Sequence, residues 1–491
     1  MSEDYIPRPY AELAANFILD TQRCALWAKP GMGKTAIVYS VLEILRLASS
    51  RFFPALVIAP KKVCNITWPA EQRKWKQFEH LRVVNIAGDV DCRRMALQTP
   101  ADIYLVNFEN VTWLVNQFGS TWPFKILIVD EATKLKNFRT KQGGVRAGAL
   151  GRIVDHVGRL IELTGTPAPN GLKDLWGQVY FIDKGHRLGD SYNAFLKRWF
   201  IKEAYTLKII PKANAEAEIY KKLSDCTLAL RPEDWFDLRE PVHSTRTVDL
   251  PTDARKLYNK LERDMFAELQ AEASKHEITA PIALTLTTKL LQVAGGAVID
   301  VERQWAKVHD AKLDELEELI DELNGENVLV VYNYVHEWER FKERFPHARR
   351  FVNEKDEADW NAGKIPFMAI QPQSGGHGIS LQHGGRCIIF FTNTFNLELR
   401  LQVIERLGPT RQAQSGYDRS VLVYDIVASN TVDEEVLCAL TEKMTVQDAL
   451  MLARSRRGDS AQALQRTLTT EYAALDVARA HDFGDLLGTI V

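Results

Sequence analysis

The stretch CALWAKPGMGKTAIVYSVLEIL, residues 24–45, contains a short apolar strand, a glycine-rich turn and an amphipathic helix in succession. AKPGMGKT at 28–35 therefore falls at a strand-to-helix junction, the context a phosphate-binding loop requires. Gly31 and Gly33 let backbone N–H groups turn inward around phosphate oxygens, with Pro30 and Met32 completing the loop. Lys34 supplies a cation for β- and γ-phosphates, and the Thr35 hydroxyl is placed to ligate magnesium at the positive end of the helix. The competing reading, a glycine turn that only caps a helix, is disfavoured by the correct flanks on both sides.

A phosphate loop needs a carboxylate at the end of a nearby strand. ILIVD at 126–130 delivers Asp130, a magnesium ligand, followed by Glu131, which orients and deprotonates an attacking water. Taken alone, an acidic pair after a buried strand reads equally well as a helix start with favourable charges. Beside the phosphate loop the chemical reading prevails.

Outward from these two sites, ALVIAP at 55–60, YLVN at 104–107 and IELTGT at 161–166 alternate with helical patterns, the rhythm of a parallel sheet covered by helices. Between 206 and 300 helical segments such as DARKLYNKLERDMFAEL dominate, flanked by the polar stretch RPEDWFDLREP. Strands return with NVLVVYN at 327–333, FMAIQP at 367–372, CIIFFT at 387–392 and VLVYDIVA at 421–428. Before them, AKLDELEELIDEL sets Leu313, Leu316, Ile320 and Leu323 on one helical face. The expected fold class is α/β: a parallel-sheet lobe over 1–205, a helical linker over 206–300, a second parallel-sheet lobe over 301–453 and a polar extension over 454–491.

Composition agrees with this plan. A chain of 491 residues exceeds the roughly 150 of one domain about threefold, and 46% hydrophobic with 26% charged residues is ordinary globular usage. Lys and Arg number 62 against 64 Asp and Glu, so a polyanion would be held by a local patch and not by the net field. The six cysteines include no CxxC pair, which argues against a zinc ribbon and a disulfide-stapled secreted fold and fits a reducing cytoplasm. Histidines show no metal-ligand spacing. The start, MSEDYIPRPYAEL, has no secretory pattern and no membrane-spanning run is present, so the expectation is a soluble protein with no membrane partner. Lys134, Lys136, Arg139, Lys141 and Arg146 crowd into TKLKNFRTKQGGVR; a nucleic-acid-facing loop is favoured there over a solvated face. Trp68 and Trp75 are expected in the core.

The order of motifs resembles helicase superfamily 2, and within it the Swi/Snf-related branch of DNA translocases, in a compact bacterial or bacteriophage form. The resemblance is carried by PRPYAEL (7–13), the phosphate loop, ALVIAPKKVCNITWPAEQRKW (55–75), DIYLVNFENV (102–111), DEATKLKN (130–137) and LTGTPAPN (163–170) with DLWGQVYFID. It continues through HDAKLDEL (309–316), VLVVYNYVHE (328–337), QPQSGGHGISLQ (371–382), QVIERLGPTRQ (402–412) and NTVDEEVLCALTEK (430–443).

The resemblance implies two RecA-like lobes, ATP and Mg2+ in the cleft between them, and hydrolysis on closure. It places Arg406, four residues after Gln402, as an arginine acting on the transferring phosphoryl group. The family's second arginine falls at Pro409 here; Arg411, beyond a Gly-Pro break, becomes the joint candidate. Arg8 and Tyr10 fall on the base side, where the family's adenine-reading glutamine is replaced by Ala11. Gly378 and Gln402 join the nucleotide site, while Thr164, Gly165 and Thr166 relay its state to the lobe interface. The DNA backbone is expected to meet Lys61, Lys62, Asn107, Lys134, Lys136 and Arg139 in the first lobe, and Ser374, His377 and Gly378 in the second.

The implied activity is DNA-dependent ATP hydrolysis driving movement along DNA, duplex favoured, with remodelling of DNA or nucleoprotein. The expected setting is the cytoplasm of a bacterial or phage-infected cell, with a separate nuclease or recombination protein as partner. Two alternatives stand beside it: a strand-separating helicase, for which no pin or wedge hairpin is evident, and a nucleic-acid-binding scaffold with a non-hydrolysing ATP switch.

Overall fold

A computed structural model describes residues 2–442 apart from 141–144, 166, 169–170, 203–208, 275–279, 300–303 and 376–378. The extension expected over 454–491 lies outside the described residues, as do Lys141, Thr166, His377 and Gly378. The chain divides into two compact units between Phe236 and Asp237.

Among the described residues, nine strands fall in the first unit: β1 (Arg23–Ala28), β2 (Ala55–Ala59), β3 (Val83–Ile86), β4 (Ile103–Asn107), β5 (Ile126–Asp130), β6 (Arg159–Thr164), β7 (Phe200–Lys202), β8 (Ile209–Pro211) and β9 (Thr227–Leu230). Seven of them form a sheet in the order β3-β4-β2-β5-β6-β1-β9, every pairing parallel. A parallel sheet needs crossovers on both faces, which is why β2 and β5 are buried along their whole length and read as unbroken apolar runs. Separate apolar cores lie on the two faces, one around Trp27, Leu127 and Trp176, the other around Leu26, Ile37 and Trp68.

The second unit holds β10 (Val242–Val248), β11 (Ala297–Ile299), β12 (Trp305–Lys307), β13 (Val328–Val331), β14 (Arg349–Arg350), β15 (Phe367–Ile370), β16 (Cys387–Phe390) and β17 (Leu422–Ala428). Its six-stranded sheet runs β10-β17-β16-β13-β15-β14, again all parallel. Both lobes are thus parallel-sheet α/β units, as expected. The segment 206–300 is divided between them: β9 extends the first sheet beside β1, and β10 lies at the edge of the second beside β17. Its helices Thr252–Ser274 and Ala280–Ala294 follow β10 and belong to the second unit.

Motifs distant in the second half meet in its core. The fully buried Lys312 ammonium pairs with Asp433 and donates to the Phe391 carbonyl at 3.1 Å. The buried Glu337 carboxylate accepts from the Asn333 and Tyr334 amides at 2.8 and 3.0 Å and from the Thr392 hydroxyl. Three of the quoted motifs are therefore joined in one polar network whose members satisfy one another, so their residues are structural there. No helix among the described residues is long and apolar enough to cross a membrane.

Candidate functional site

β1 ends at Ala28, and the chain turns through Gly31 at φ 91° and Gly33 at φ 69° before the helix Lys34–Ala48. Left-handed backbone at both glycines is what lets successive amides face one concavity, and a side chain there would be strained. Gly33 meets nothing a Cβ would touch, so its requirement is conformational and not steric. Met32 is fully buried among the core residues beneath the loop, which leaves only its backbone for a ligand. The Lys34 ammonium donates to the Ala28 carbonyl at 2.6 Å. With no acidic residue in its first turn, the helix presents its N–H groups and positive end without a competing carboxylate.

β6 lies between β1 and β5 and brings Thr164 and Gly165 between the loop and the acids. Thr164 pairs with Trp27 of β1, and Leu163 with Asp130 of β5. Just beyond β6, a Cβ on Gly165 would stand 2.8 Å from the Pro30 Cδ, so the phosphate loop leans directly on this glycine. Thr164 is buried.

Asp130, the last residue of β5, is buried, and its Oδ2 accepts the indole N–H of Trp68 at 3.0 Å. Trp68 is fully buried, as expected, and its own carbonyl accepts the Tyr39 hydroxyl at 2.9 Å, which ties it to the helix behind the phosphate loop. Trp68 thus positions a carboxylate, a role its aromatic character alone did not suggest. Trp75 is instead half-buried, its N–H on Glu71 at 2.6 Å. Glu131 follows in left-handed backbone at φ 66°, an uncommon conformation for a residue with a side chain and of the kind held at functional sites. A hydroxyl at Thr35 and a carboxylate at Asp130 are hard oxygen donors, the set that suits Mg2+ together with phosphate and water.

On the same sheet edge, a pocket of about 460 Å³ opens over the ends of β2, β4 and β5. Lys61, Asn107, Lys134 and Arg146 line it. Glu109 sits among them, accepting the Asn107 amide at 2.7 Å and pairing with Arg146 at 3.5 Å. Three cations against one carboxylate make the pocket positive. Lys136 and Arg139 turn elsewhere. Lys136 lies 3.9 Å from Asp174, and the Arg139 guanidinium donates to the Lys136 and Phe138 carbonyls at 3.0 and 2.5 Å while stacking 3.4 Å above Tyr192. Lys62 is half-buried, and desolvation lowers its pKa.

In the second unit the helix Leu397–Leu407 ends before Gly408, and a new helix, Pro409–Gln414, starts with proline at its first position, where a missing N–H costs nothing. This break returns Arg411 to the loop that Arg406 touches. The buried Arg406 guanidinium donates to the Ile379 carbonyl at 3.3 Å, and Arg411 donates to the Ser380 hydroxyl. Glu357, absent from the sequence-based expectations, accepts the Ser380 amide at 2.9 Å. Burial raises its pKa while Arg411 and Arg406 oppose the shift. Gln402 is buried, its amide 3.4 Å from Glu398. Ser374 stands in the short helix Pro372–Gly375.

A glycine-rich loop at a strand-to-helix turn and a carboxylate two strands away on the same parallel sheet define a P-loop nucleotide-binding protein. The SNF2-related domain matches residues 17–294, more than half of the chain. The chain belongs to the SNF2-related family. It is 44% identical to protein p41 of Acyrthosiphon pisum secondary endosymbiont phage 1, over 92% of this chain and 99% of that protein. Against Bacillus subtilis (strain 168) YwqA, named for an ATP-dependent helicase/translocase, identity is 22% over 90% of this chain, which spans only 48% of YwqA. The solved Sulfolobus solfataricus SWI2/SNF2 ATPase core in complex with dsDNA aligns at 20% identity and a TM-score of 0.42, over 92% of this chain and 95% of that one.

Proposed function

We propose that this protein hydrolyses ATP when bound to nucleic acid and uses the cycle to move along DNA, duplex favoured, remodelling DNA or nucleoprotein. One observation carries the reading. The turn that follows Asp130 and Glu131 also holds Lys134, whose amide donates to the Glu131 carbonyl at 3.0 Å and whose side chain lines the positive pocket. A displacement of the acids therefore moves a phosphate-binding group directly.

Lys34 and the loop amides grip the phosphates, Glu131 orients and deprotonates the attacking water, and Thr35 with Asp130 would hold Mg2+, which neutralises developing phosphate charge when bound. Arg406 and Arg411 are the second unit's arginines for the transferring phosphoryl group, so that hydrolysis follows closure. Thr164 and Gly165 relay the state of the nucleotide to the lobe interface. Binding through backbone phosphates suits movement that does not depend on base sequence.

ATP turnover measured with single-stranded DNA, duplex DNA, forks and RNA tests the proposal, with duplex DNA expected to stimulate most. Glu131→Gln is expected to keep nucleotide affinity while turnover falls by about 10²–10⁴; unchanged turnover would remove Glu131 from the mechanism. A moving motor that does not open its track displaces the third strand of a triplex and leaves duplexes intact.

One feature favours strand separation as a second reading. β7 and β8 pair antiparallel, with Ile201 opposite Ile210, and expose Ile201, Ile209 and Ile210. Exposed apolar side chains of this kind can wedge between bases. Displacement of one strand from a forked duplex, lost in an Ile201→Ser, Ile210→Ser double variant, would select it.

A further inference from the structure

We propose that Glu357 is a positioning residue for hydrolysis: it fixes Ser380, and Ser380 in turn orients the Arg411 guanidinium for the transferring phosphoryl group. The inference rests on the arginine reading above and extends it to a helix of the second unit, Glu354–Asn361, with no role so far.

The helix is anchored at its start. The Asn353 side chain accepts the Lys355 amide at 2.9 Å, and the Asp356 carboxylate accepts the Val352 and Asn353 amides at 2.9 and 3.1 Å. Arg349 of β14 ties Asp356 and Asp359 to the edge of the sheet at 2.9 and 3.0 Å. Glu357 and Asn361 stand one turn apart on this helix, so both reach the same short stretch of chain, Ile379–Leu381.

Three side chains of the helix hold that stretch. Glu357 accepts the Ser380 amide at 2.9 Å, the Asn361 side chain donates to the Ser380 carbonyl at 2.7 Å, and the Trp360 indole donates to the Leu381 carbonyl at 2.7 Å. Trp360 is fully buried beside Gly384, where a Cβ would collide with the indole. Ile379, Leu381 and Trp360 share one apolar core with Ile404 and Leu407 of the helix Leu397–Leu407. The N–H and C=O of Ser380 are thus both engaged by the helix, which gives its hydroxyl a fixed origin.

That hydroxyl accepts from Arg411. Beside it, the Ile379 carbonyl accepts from the Arg406 guanidinium at 3.3 Å, and the Leu381 amide donates to the Arg406 carbonyl at 3.1 Å. A guanidinium is a rigid planar fork, so a bond at one nitrogen sets the direction of all its N–H groups. Burial raises the Glu357 pKa while the Ser380 amide, Arg411 and Arg406 oppose the shift, in keeping with a carboxyl that faces both arginines. Misplacing a catalytic group by about 1 Å can lower a rate by about 10²-fold, so the seat of Ser380 bears on turnover and not on substrate affinity.

Turnover of ATP by the full chain with saturating duplex DNA tests the inference. Glu357→Ala should lower kcat by about ten-fold or more, with KM for ATP within about two-fold of wild type. Glu357→Gln keeps an acceptor oxygen for the amide and should stay within about three-fold of wild type. Ser380→Ala keeps the amide but removes the hydroxyl, and should lose as much as Glu357→Ala. A double-mutant cycle separates positioning from support of the fold: in an Arg411→Ala background, Glu357→Ala should change kcat by less than about two-fold. Equal loss from Glu357→Ala in both backgrounds, or wild-type kcat in Glu357→Ala while Arg411→Ala is impaired, overturns the inference and leaves the arginine reading standing. Full turnover by Arg411→Ala overturns the assignment of that arginine, and this inference with it.

Discussion

Trp68 shows how much of the site depends on one hydrogen bond. Its indole N–H reaches Asp130 at 3.0 Å inside the core, where the missing partner of a charged group costs about 1.5–3 kcal/mol. Trp68→Phe keeps a ring in the core and deletes the donor. We expect turnover to fall ten-fold or more in that variant, with magnesium-free nucleotide affinity unchanged; equal loss of both would mean that Trp68 supports the fold and not the carboxylate. The turn at Gly31 and Gly33 and the position of Glu131 after an apolar strand were legible in the sequence because each lies in contiguous residues. The Trp68–Asp130 pair was not, because its members stand 62 residues apart and only the β2-β5 pairing brings them together.

Among the elements, β6 carries the least expected feature. Glu162 is buried midway along it, and the Oε1 finds no hydrogen-bond partner among the described residues. Burial raises its pKa well above the usual 4.5, with Arg23 opposing the shift; the nearby Cys226 thiol is itself pushed up to about 12 by burial. A carboxyl whose folded pKa is raised stabilises the fold fully below its unfolded pKa, and that contribution is lost as pH rises through the folded value. Glutamine mimics the protonated acid without titrating. The Tm of Glu162→Gln should therefore exceed that of wild type by a margin that widens as pH rises above about 4.5; a pH-independent difference would contradict this. Strands β2, β5, β13, β15 and β16 were readable as apolar runs, whereas β3, β9 and β10 were not. β3 is only partly buried and β10 mostly exposed, so each carries a mixed pattern, and β9 is four residues long inside a helical context.

At the scale of the whole molecule, each unit has its own cores and its own parallel sheet, so the proposed cycle makes predictions about each separately. Arg406→Ala, in the second unit, should cut DNA-stimulated turnover by about 10³ or more while nucleotide affinity, set by the first unit, holds. Weakened affinity with unchanged turnover would refute the division of labour. Lys61→Ala with Lys134→Ala should weaken duplex binding and reduce the salt dependence of log K by about one for each phosphate left without its cation; an unaltered slope would exclude the pocket from the track. Sequence by itself determined the two-lobed α/β class and the family, since both are written in short apolar runs and in the order of local motifs, whereas the acid pair alone reads two ways and takes its chemical reading from the phosphate loop beside it. Tertiary structure alone decided that β6 lies between loop and acids, that Arg146 joins Lys61 and Lys134 while Lys136 and Arg139 turn away, and that a Gly-Pro break returns Arg411 to the loop beside Arg406. The reason is physical: local propensity selects an element, but strand order and helix breaks decide which distant side chains share a few ångströms of space.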